Sequence, residues 1–170
     1  MQSSLIITIL GTDRSGLVKS LSEVVKNHNG NWQESRMVRM DGQFAGLAHV
    51  SIDTAHVETL SQALLALQSD DLQVLIKQTK SAKTSTETLS IELLGSDRLG
   101  IIHDITQQLS ALNVNIEKLQ SEQRIAPMSN ETLFYAEIEL GLPEGVTEVD
   151  IQDAFEEISD SLMVDLTFRD

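Results

Sequence analysis

The chain has 170 residues, 41% of them hydrophobic and only 4% aromatic, which is enough apolar surface for an aliphatic core and excludes bulk disorder. It contains no cysteine, so disulfides and thiolate metal sites are excluded. The net charge of −14 arises entirely within residues 85–170, and it disfavours direct binding of nucleic acid because a phosphate backbone would be repelled.

The first half of the chain predicts six elements, in the order strand, helix, strand, strand, helix, strand. Short apolar runs that end at turn residues are typical of strands, and apolar residues at helical spacing mark the helices. In chain order these are a strand at Leu5–Leu10, a helix marked by Leu17, Val18, Leu21, Val24 and Val25, strands at Asn31–Met40 and Phe44–Ile52 joined by the hairpin pair Asp41 and Gly42, a helix marked by Val57, Leu60, Ala63, Leu64 and Leu67, and a strand at Leu72–Ile76.

The second half of the chain repeats the first. The segment Leu5–Gly16 matches Leu89–Gly100 at a constant offset of 84 residues. Toward the end of each copy the offset becomes 88, where Ala48–Ile52 faces Ala136–Leu140. Identities and apolar pattern that keep one register indicate that a structural unit was duplicated. The second copy has therefore gained about four residues, which we place in the loop around Ala126–Asn130.

The repeated elements predict the fold class and the division of the chain. The second copy has strands at Leu89–Leu94, Val114–Arg124, Leu133–Leu140 and Leu162–Phe168, a helix marked by Ile101, Ile102, Ile105, Leu109 and Leu112, and a helix at Val149–Ile158. We predict an α+β chain of two ferredoxin-like βαββαβ modules, each an antiparallel sheet with its helices on one face. Residues 1–80 would form the first module and residues 87–170 the second, joined by the small polar linker 81–86.

The N-terminal residues give no sign of a targeting signal. Met1–Ser4 lacks a basic region, and the apolar run Leu5–Leu10 is too short for a signal sequence. No stretch reaches the roughly 20 apolar residues that cross a bilayer. We therefore expect a cytoplasmic protein with no membrane partner.

Both copies carry the motif Gly-[Thr/Ser]-Asp-Arg-x-Gly between the first strand and the first helix. A helix N-terminus presents unpaired backbone N–H groups and the positive end of the helix dipole, which suit a carboxylate or a phosphate. A bound ligand and tight packing of strand against helix both explain the motif. A nucleotide-binding loop does not, because Leu17 and Ile101 stand where a P-loop has lysine.

Three residues of each motif have predicted local roles. We expect the aspartate to cap the helix, the first glycine to allow a turn conformation that other residues resist, and the last glycine to lie in the first helical turn. At the last position, a missing side chain would let another group approach the backbone. In the two copies these residues are Asp13 and Asp97, Gly11 and Gly95, and Gly16 and Gly100.

No arrangement of side chains indicates catalysis or a metal. The histidines His28, His49, His56 and His103 show no metal-binding spacing, and no Gly-x-Ser-x-Gly nucleophile motif occurs. We expect no catalytic residue, no metal ligand and no cofactor, and a protein that is not an enzyme.

The order strand, Gly-x-Asp-Arg-x-Gly, aliphatic helix, then an asparagine that begins the second strand resembles the ACT domain, a small regulatory module that binds amino acids. The resemblance covers both repeats. It implies that modules pair side by side and bind the ligand where the turn of one meets the second strand of its neighbour. The ligand-binding residues implied by position are Thr12, Asp13, Arg14, Gly16 and Asn31 in the first copy, and Ser96, Asp97, Arg98, Gly100 and Asn115 in the second.

These residue types suit an amino acid. Backbone amides and arginine can hold a carboxylate, while an aspartate or an asparagine carbonyl can accept from an ammonium group. The alternative for the arginines is an ordinary surface ion pair. The copies also differ beside the motif, where Ser15 faces Leu99 and Trp32 faces Ile116, so the two sites need not be equivalent.

The resemblance implies a regulator without catalytic activity. We expect a transcriptional repressor that senses a small amino acid, glycine first, and acts through a separate DNA-binding activator protein. Candidate contact surfaces are the acidic segment 144–160 and the second-copy loop that carries Arg124, Pro127, Met128 and Asn130. The alternatives are a regulatory subunit of an amino-acid biosynthetic enzyme and direct nucleic-acid binding through the sheet. Exposed sheet edges can also pair with another copy of the chain, so a homo-oligomer is a further alternative.

Overall fold

The computed structural model describes residues 1–79, 87–162 and 165–169, with side chains described as far as residue 156. The chain divides into two compact units, Met1–Lys83 and Thr84–Asp170. The predicted linker 81–86 lies outside the described residues. None of the helices in the described ranges is long and apolar enough to cross a membrane.

The first unit is a four-stranded antiparallel sheet with two α-helices. Its strands lie in the order β2-β3-β1-β4, so the first strand is central and the second and fourth are edges. The elements are β1 Gln2–Thr12, α1 Leu17–Asn27, β2 Asn31–Met40, β3 Gln43–Asp53, a single 3-10 turn Thr54–His56, α2 Val57–Leu65 and β4 Leu72–Thr79.

The second unit has the same topology, with strand order β6-β7-β5-β8. The predicted βαββαβ order is therefore confirmed in both copies. Its elements are β5 Glu87–Ser96, α3 Ile101–Ala111, β6 Asn115–Ile125, β7 Thr132–Leu142, α4 Glu148–Leu162 and β8 Asp165–Arg169.

Each sheet buries one face against its helices, as predicted. In β1 every second residue is buried, beginning with Leu5 and Ile7, because strand side chains alternate between faces. Helix α1 contributes Leu17, Leu21 and Val25 to the same cluster, at the four-residue spacing that places side chains on one face. Each such aliphatic side chain contributes about 1.5–3 kcal/mol when fully buried, which makes these residues the main support of the fold.

The strand register corrects the alignment of the two copies after the hairpin. Ile7 pairs with Ala48, whereas its repeat partner Ile91 pairs with Ile138. The true offset there is therefore 90 and not 88, and the second copy has gained six residues. A slip of two residues keeps every side chain on its face of the sheet, so the apolar pattern could not reveal it. The predicted place is correct: the connection 126–131 is four residues longer than the first-copy hairpin, and the additional pair of Ile125 with Thr132 accounts for the other two.

Backbone irregularities recur at the offset of 84. Asn29 and Asn113 end the first helix of each copy with φ of 57° and 55°, the left-handed conformation that asparagine tolerates. A β-bulge begins three residues later, between Trp32 and Glu34 in β2 and between Ile116 and Lys118 in β6. Both features therefore belong to the repeated unit.

The first-copy hairpin has the predicted turn. Asp41 and Gly42 have φ of 48° and 76°, and Met40 pairs directly with Gln43. Two positive φ values in a two-residue connection are typical of a type I′ turn, whose twist matches that of the strands.

Candidate functional site

Each Asp-Arg turn lies beside the connection between the next two strands. The backbone N–H of Asp13 donates to the carbonyl of Gly42 at 2.9 Å, and that of Asp97 donates to Thr132 at 3.1 Å. The connection from β1 to α1 is therefore fixed against the β2–β3 hairpin, and the connection from β5 to α3 against the β6–β7 loop. Both motifs sit at one end of their sheet, at a helix N-terminus, as predicted.

The prediction that Asp13 and Asp97 cap these helices is wrong. The N-cap residues are Gly16 and Gly100, and neither helix has a side-chain capping hydrogen bond. The left-handed glycine reverses the chain three residues after the aspartate, which leaves the aspartate facing the hairpin instead of the helix. The first backbone N–H groups of α1 and α3 therefore lack the side-chain acceptor that usually satisfies them.

The turn conformation predicted for Gly11 and Gly95 occurs instead at Gly16 and Gly100. Gly16 and Gly100 have φ of 87° and 82°, and a Cβ at either would meet nothing within 4 Å, so the backbone conformation requires glycine there. Gly11 and Gly95 lie inside strands and are not left-handed. A Cβ at Gly11 would lie 2.3 Å from the carbonyl oxygen of Asp71, so packing requires that glycine.

In the first turn, one of the two motif charges is paired. The Asp13 carboxylate forms an ion pair with Nε of Arg39, in β2, at a distance of 2.8 Å. Arg14 is exposed and makes no ion pair or hydrogen bond with any side chain that the structure describes. The turn therefore presents a free guanidinium beside the N-terminus of α1.

In the second turn, both motif side chains are engaged. Asp97 accepts a hydrogen bond from Nε2 of Gln123 at 2.6 Å. Arg98 forms an ion pair with Asp104, a residue in the first turn of α3, and Nη1 of Arg98 also donates to the carbonyl of Leu99 at 3.1 Å. Nε of Arg98 is buried and has no partner among the described residues. Arg98 is thus only half-exposed, in contrast to Arg14.

Sequence reasoning missed four residues that decide these contacts. They are Ser20 and Asp104 in the helices, and Arg39 and Gln123 in the second strand of each copy. Each pair occupies equivalent positions at the offset of 84. The alignment of the two copies contains both pairs, but it does not show that these residues contact the motif, because Arg39 and Gln123 lie 23 residues beyond its last glycine.

The predicted asparagines lie at the opposite end of each sheet from the turns. Thr12 pairs with Gln43, whereas Asn31 is level with Ser51, eight residues further along β3. At about 3.4 Å per residue the separation is roughly 27 Å. The second copy is the same, with Ser96 opposite Leu133 and Asn115 opposite Gly141. A single module therefore does not bring its turn and its asparagine into one site.

Two depressions in the second unit lie away from the turns. One, of about 380 Å³, is lined by Thr106, Leu109, Ser110, Asn113, Val114, Asn115 and Ile116, and so includes a predicted site residue. The other, of about 220 Å³, lies on the sheet face opposite the helices and is lined by Ser90, Ile91, Glu92, Lys118, Glu137, Ile138 and Glu139. In the described part of the chain no cluster of three potential metal-ligating side chains occurs.

Comparisons with known proteins agree with this fold. The structure superimposes with a TM-score of 0.87 on an unknown protein from Galdieria sulphuraria, 25% identical, covering 99% of this chain and 98% of that one. A proposed glycine cleavage system transcriptional repressor gives a TM-score of 0.73 at 21% identity, with the same coverage. The second likeness supports the fold alone.

The sequence comparisons identify the type of module. Residues 3–77 match the ACT domain family. Over 165 residues the chain is 25% identical to the glycine cleavage system transcriptional repressors of Escherichia coli (strain K12) and Shigella flexneri, covering 95% of this chain and 86% of each relative. The second unit repeats the topology and the motif of the first unit, which matches the ACT domain family, so the chain resembles a tandem ACT-domain protein and is similar to the glycine cleavage system transcriptional repressor.

Proposed function

We propose that the protein is a non-enzymatic, amino-acid-responsive repressor of glycine cleavage system transcription. The observation that carries the proposal is the free guanidinium of Arg14 beside a helix N-terminus that no side chain caps. The similarity to repressors over nearly the whole chain supports the regulatory role. Glycine is the first ligand to test, because those relatives carry the name of the glycine cleavage system.

The first turn has the groups that a ligand carboxylate needs. The initial N–H groups of α1 are unsatisfied within the helix, and the helix dipole places partial positive charge there. Arginine adds two parallel N–H donors, which match the two oxygens of a carboxylate. Thr12, Asp13, Arg14 and Gly16 would form this half of the site, with Ser96, Asp97, Arg98 and Gly100 as their repeat equivalents.

The other half of the site would come from another module. Asn31 and Asn115 are exposed at the ends of edge strands, far from the turn of their own module. An asparagine carbonyl there can accept from the ammonium group of an amino acid whose carboxylate lies on a turn. Ligand binding would then favour the paired arrangement of modules, which is how a bound amino acid can change affinity for a partner.

The proposed output is contact with a DNA-binding activator protein in the cytoplasm. The acidic second half makes contact with a basic protein surface more favourable than contact with DNA. The same unit exposes three apolar side chains around its turn and long loop: Leu99 at 98%, Ile125 at 68% and Met128 at 100%. In the first copy, Ser15 occupies the position of Leu99, and a two-residue hairpin occupies the place of the long loop.

Isothermal titration calorimetry of the full chain against glycine, alanine, serine and other amino acids tests the sensing proposal. We expect heat of binding for glycine at millimolar concentration or below, and a weaker interaction in Arg14→Gln by about tenfold or more, the effect of losing a charge-assisted hydrogen bond. Absence of binding by every amino acid tested contradicts the proposal.

Pull-down of the activator tests the output. Two variants address the two candidate surfaces: charge reversal at Glu144, Glu148 and Asp153, and replacement of residues 126–131 by the Asp-Gly turn of the first copy. We expect at least one of them to lose the activator. If both variants still retain the activator, neither surface is its binding site. If the protein co-purifies with a biosynthetic enzyme in place of the activator, the alternative of a regulatory subunit is favoured.

A further inference from the structure

The two Asp-Arg turns are alike in backbone but opposite in charge. We infer that only the first turn binds the carboxylate of an amino acid, and that in the second turn the Asp104 side chain occupies the arginine in its place. This inference rests on the proposed function and assigns its two candidate sites different roles.

The second turn already contains a carboxylate where a ligand would bind. Asp104 is the fourth residue after Gly100, and it forms an ion pair with Arg98 beside the N-terminus of α3. A carboxylate at this position neutralises both the guanidinium and the positive end of the helix dipole. Because Asp104 is covalently tethered, a free carboxylate competes with it at a disadvantage.

The first turn lacks this internal competitor. Ser20 replaces the aspartate, and its hydroxyl donates to the carbonyl of Gly16 at 3.1 Å. The first turn of α1 contains no acidic residue. Arg14 is consequently exposed and without an ion-pair partner in the described part of the chain, which leaves it available to a ligand.

The other motif residue increases the difference. Asp13 is paired with the cation of Arg39, whereas Asp97 receives only the neutral amide of Gln123. Counting the motif charges and the side chains that contact them, the first turn has a surplus of one positive charge and the second of one negative charge. A carboxylate is therefore attracted to the first turn and repelled by the second.

Exchange of the residues between the turns tests the inference, with glycine as the calorimetric probe on the full chain. We expect one site per chain. Ser20→Asp installs the competing carboxylate beside Arg14 and should weaken binding by about tenfold or more, while Ser20→Asn, of equal size and without charge, should change affinity by less than about twofold.

The reciprocal exchange should create a site. Asp104→Ser frees Nη2 of Arg98, and Nε of the same side chain has no partner among the described residues. Nη2 and Nε can together hold a carboxylate bidentately, so the stoichiometry should rise from one to two. Asp104→Glu keeps the negative charge, so the stoichiometry of this variant should remain one glycine per chain. Two equivalent sites in the unmodified chain, or a larger loss from Arg98→Gln than from Arg14→Gln, would overturn the inference while leaving amino-acid sensing intact.

Titration with sodium acetate, followed by amide NMR, separates the inference from the proposed function. Acetate is a carboxylate without an ammonium group, so it reports the turns alone. We expect shifts in the amides that follow Gly16 and none of comparable size after Gly100. If acetate gives this pattern but no amino acid binds, the proposal of amino-acid sensing fails, while the inference that the two turns differ is upheld. Equal shifts at both turns, or none at either, overturn it.

Discussion

Glycine serves two purposes around the first turn, and residue type alone does not distinguish them. Gly16 is required because the backbone is left-handed, whereas Gly11 is required because the carbonyl of Asp71 lies where a Cβ would be. The motif alone predicted the turn conformation at Gly11 and not at Gly16, since neither φ nor a contact from a distant loop can be read from it. The contact of Asp13 with Arg39 was missed for the same reason.

Substitutions at the two glycines should separate these causes. Gly16→Ala should cost about 1–2 kcal/mol in free energy of unfolding and Gly16→Asn less, because asparagine tolerates the left-handed region. Gly11→Ala and Gly11→Asn should both cost more than Gly16→Asn, since each forces the backbone apart. Urea unfolding followed by fluorescence of Trp32, the single tryptophan, measures this. If Gly11→Ala leaves the free energy of unfolding unchanged, the packing explanation is refuted.

Tyr135 is held in its protonated form. Its hydroxyl donates to Glu137 at 2.8 Å, and this hydrogen bond, together with burial and the nearby Glu92, raises the pKa of Tyr135. Glu137→Gln should lower that pKa toward its ordinary value, because the charged acceptor is lost. Tyr135 is the single tyrosine, so phenolate absorbance during alkaline titration reports it alone. Glu139→Gln, which instead removes the partner of Lys118, is the control and should have little effect.

Among the elements, the strands were predicted better by type than by extent. The pattern ended the first strand at Leu10, whereas β1 continues from Gln2 to Thr12 because its polar residues still pair with β3. A run of apolar residues shows only the buried part of a strand. The two-residue slip in the second copy has a related cause, since a period of two cannot report absolute register.

Helix α4 begins with a capping box that the repeat does not share. The hydroxyl and N–H of Thr147 both donate to the Asp150 carboxylate at 2.7 Å, and the N–H of Asp150 returns to the Thr147 hydroxyl. Thr147→Ala should destabilise the second unit by about 1 kcal/mol. Thermal unfolding followed by near-ultraviolet dichroism of Tyr135 measures the change, and Thr147→Ser, which keeps the hydroxyl, is the control.

The same contact has a pH dependence of known sign. Hydrogen bonds from Thr147 lower the pKa of Asp150. A depressed folded-state pKa means that the stabilisation is complete above the unfolded-state value and is lost as pH falls through the folded one, so the window lies below about pH 4. Asp150→Asn should therefore lower the free energy of unfolding at neutral pH. On acidification, the free energy of unfolding of this variant should fall by less than that of the unmodified chain. An unchanged acid-unfolding profile in that variant would contradict this assignment.

At the scale of the whole molecule, two copies of one fold carry very different charge. The first half is neutral and the second carries the entire net charge of −14. Composition alone predicted this difference in charge correctly, and the internal repeat predicted the topology of both units. The contacts that make the two turns unlike could not be obtained in this way, because they join the motif to residues on other elements.

The charge distribution leads to a prediction about nucleic acid. The full chain should give no retardation of duplex DNA or RNA in a gel-shift assay at low salt, where electrostatic attraction is strongest. Addition of the purified activator is the positive control, since the complex should then bind its DNA. Retardation by the chain alone, abolished by added salt, would instead support direct binding through the sheet.

The missing side-chain caps of α1 and α3 have a consequence for hydrogen exchange. Amides in the first turn of these helices have no internal acceptor, so they should exchange with deuterated water much faster than amides one turn further along. A bound carboxylate would become that acceptor and slow their exchange. The exchange rate just after Gly16, compared with that just after Gly100, would therefore report occupancy of each turn directly, without labelling the ligand.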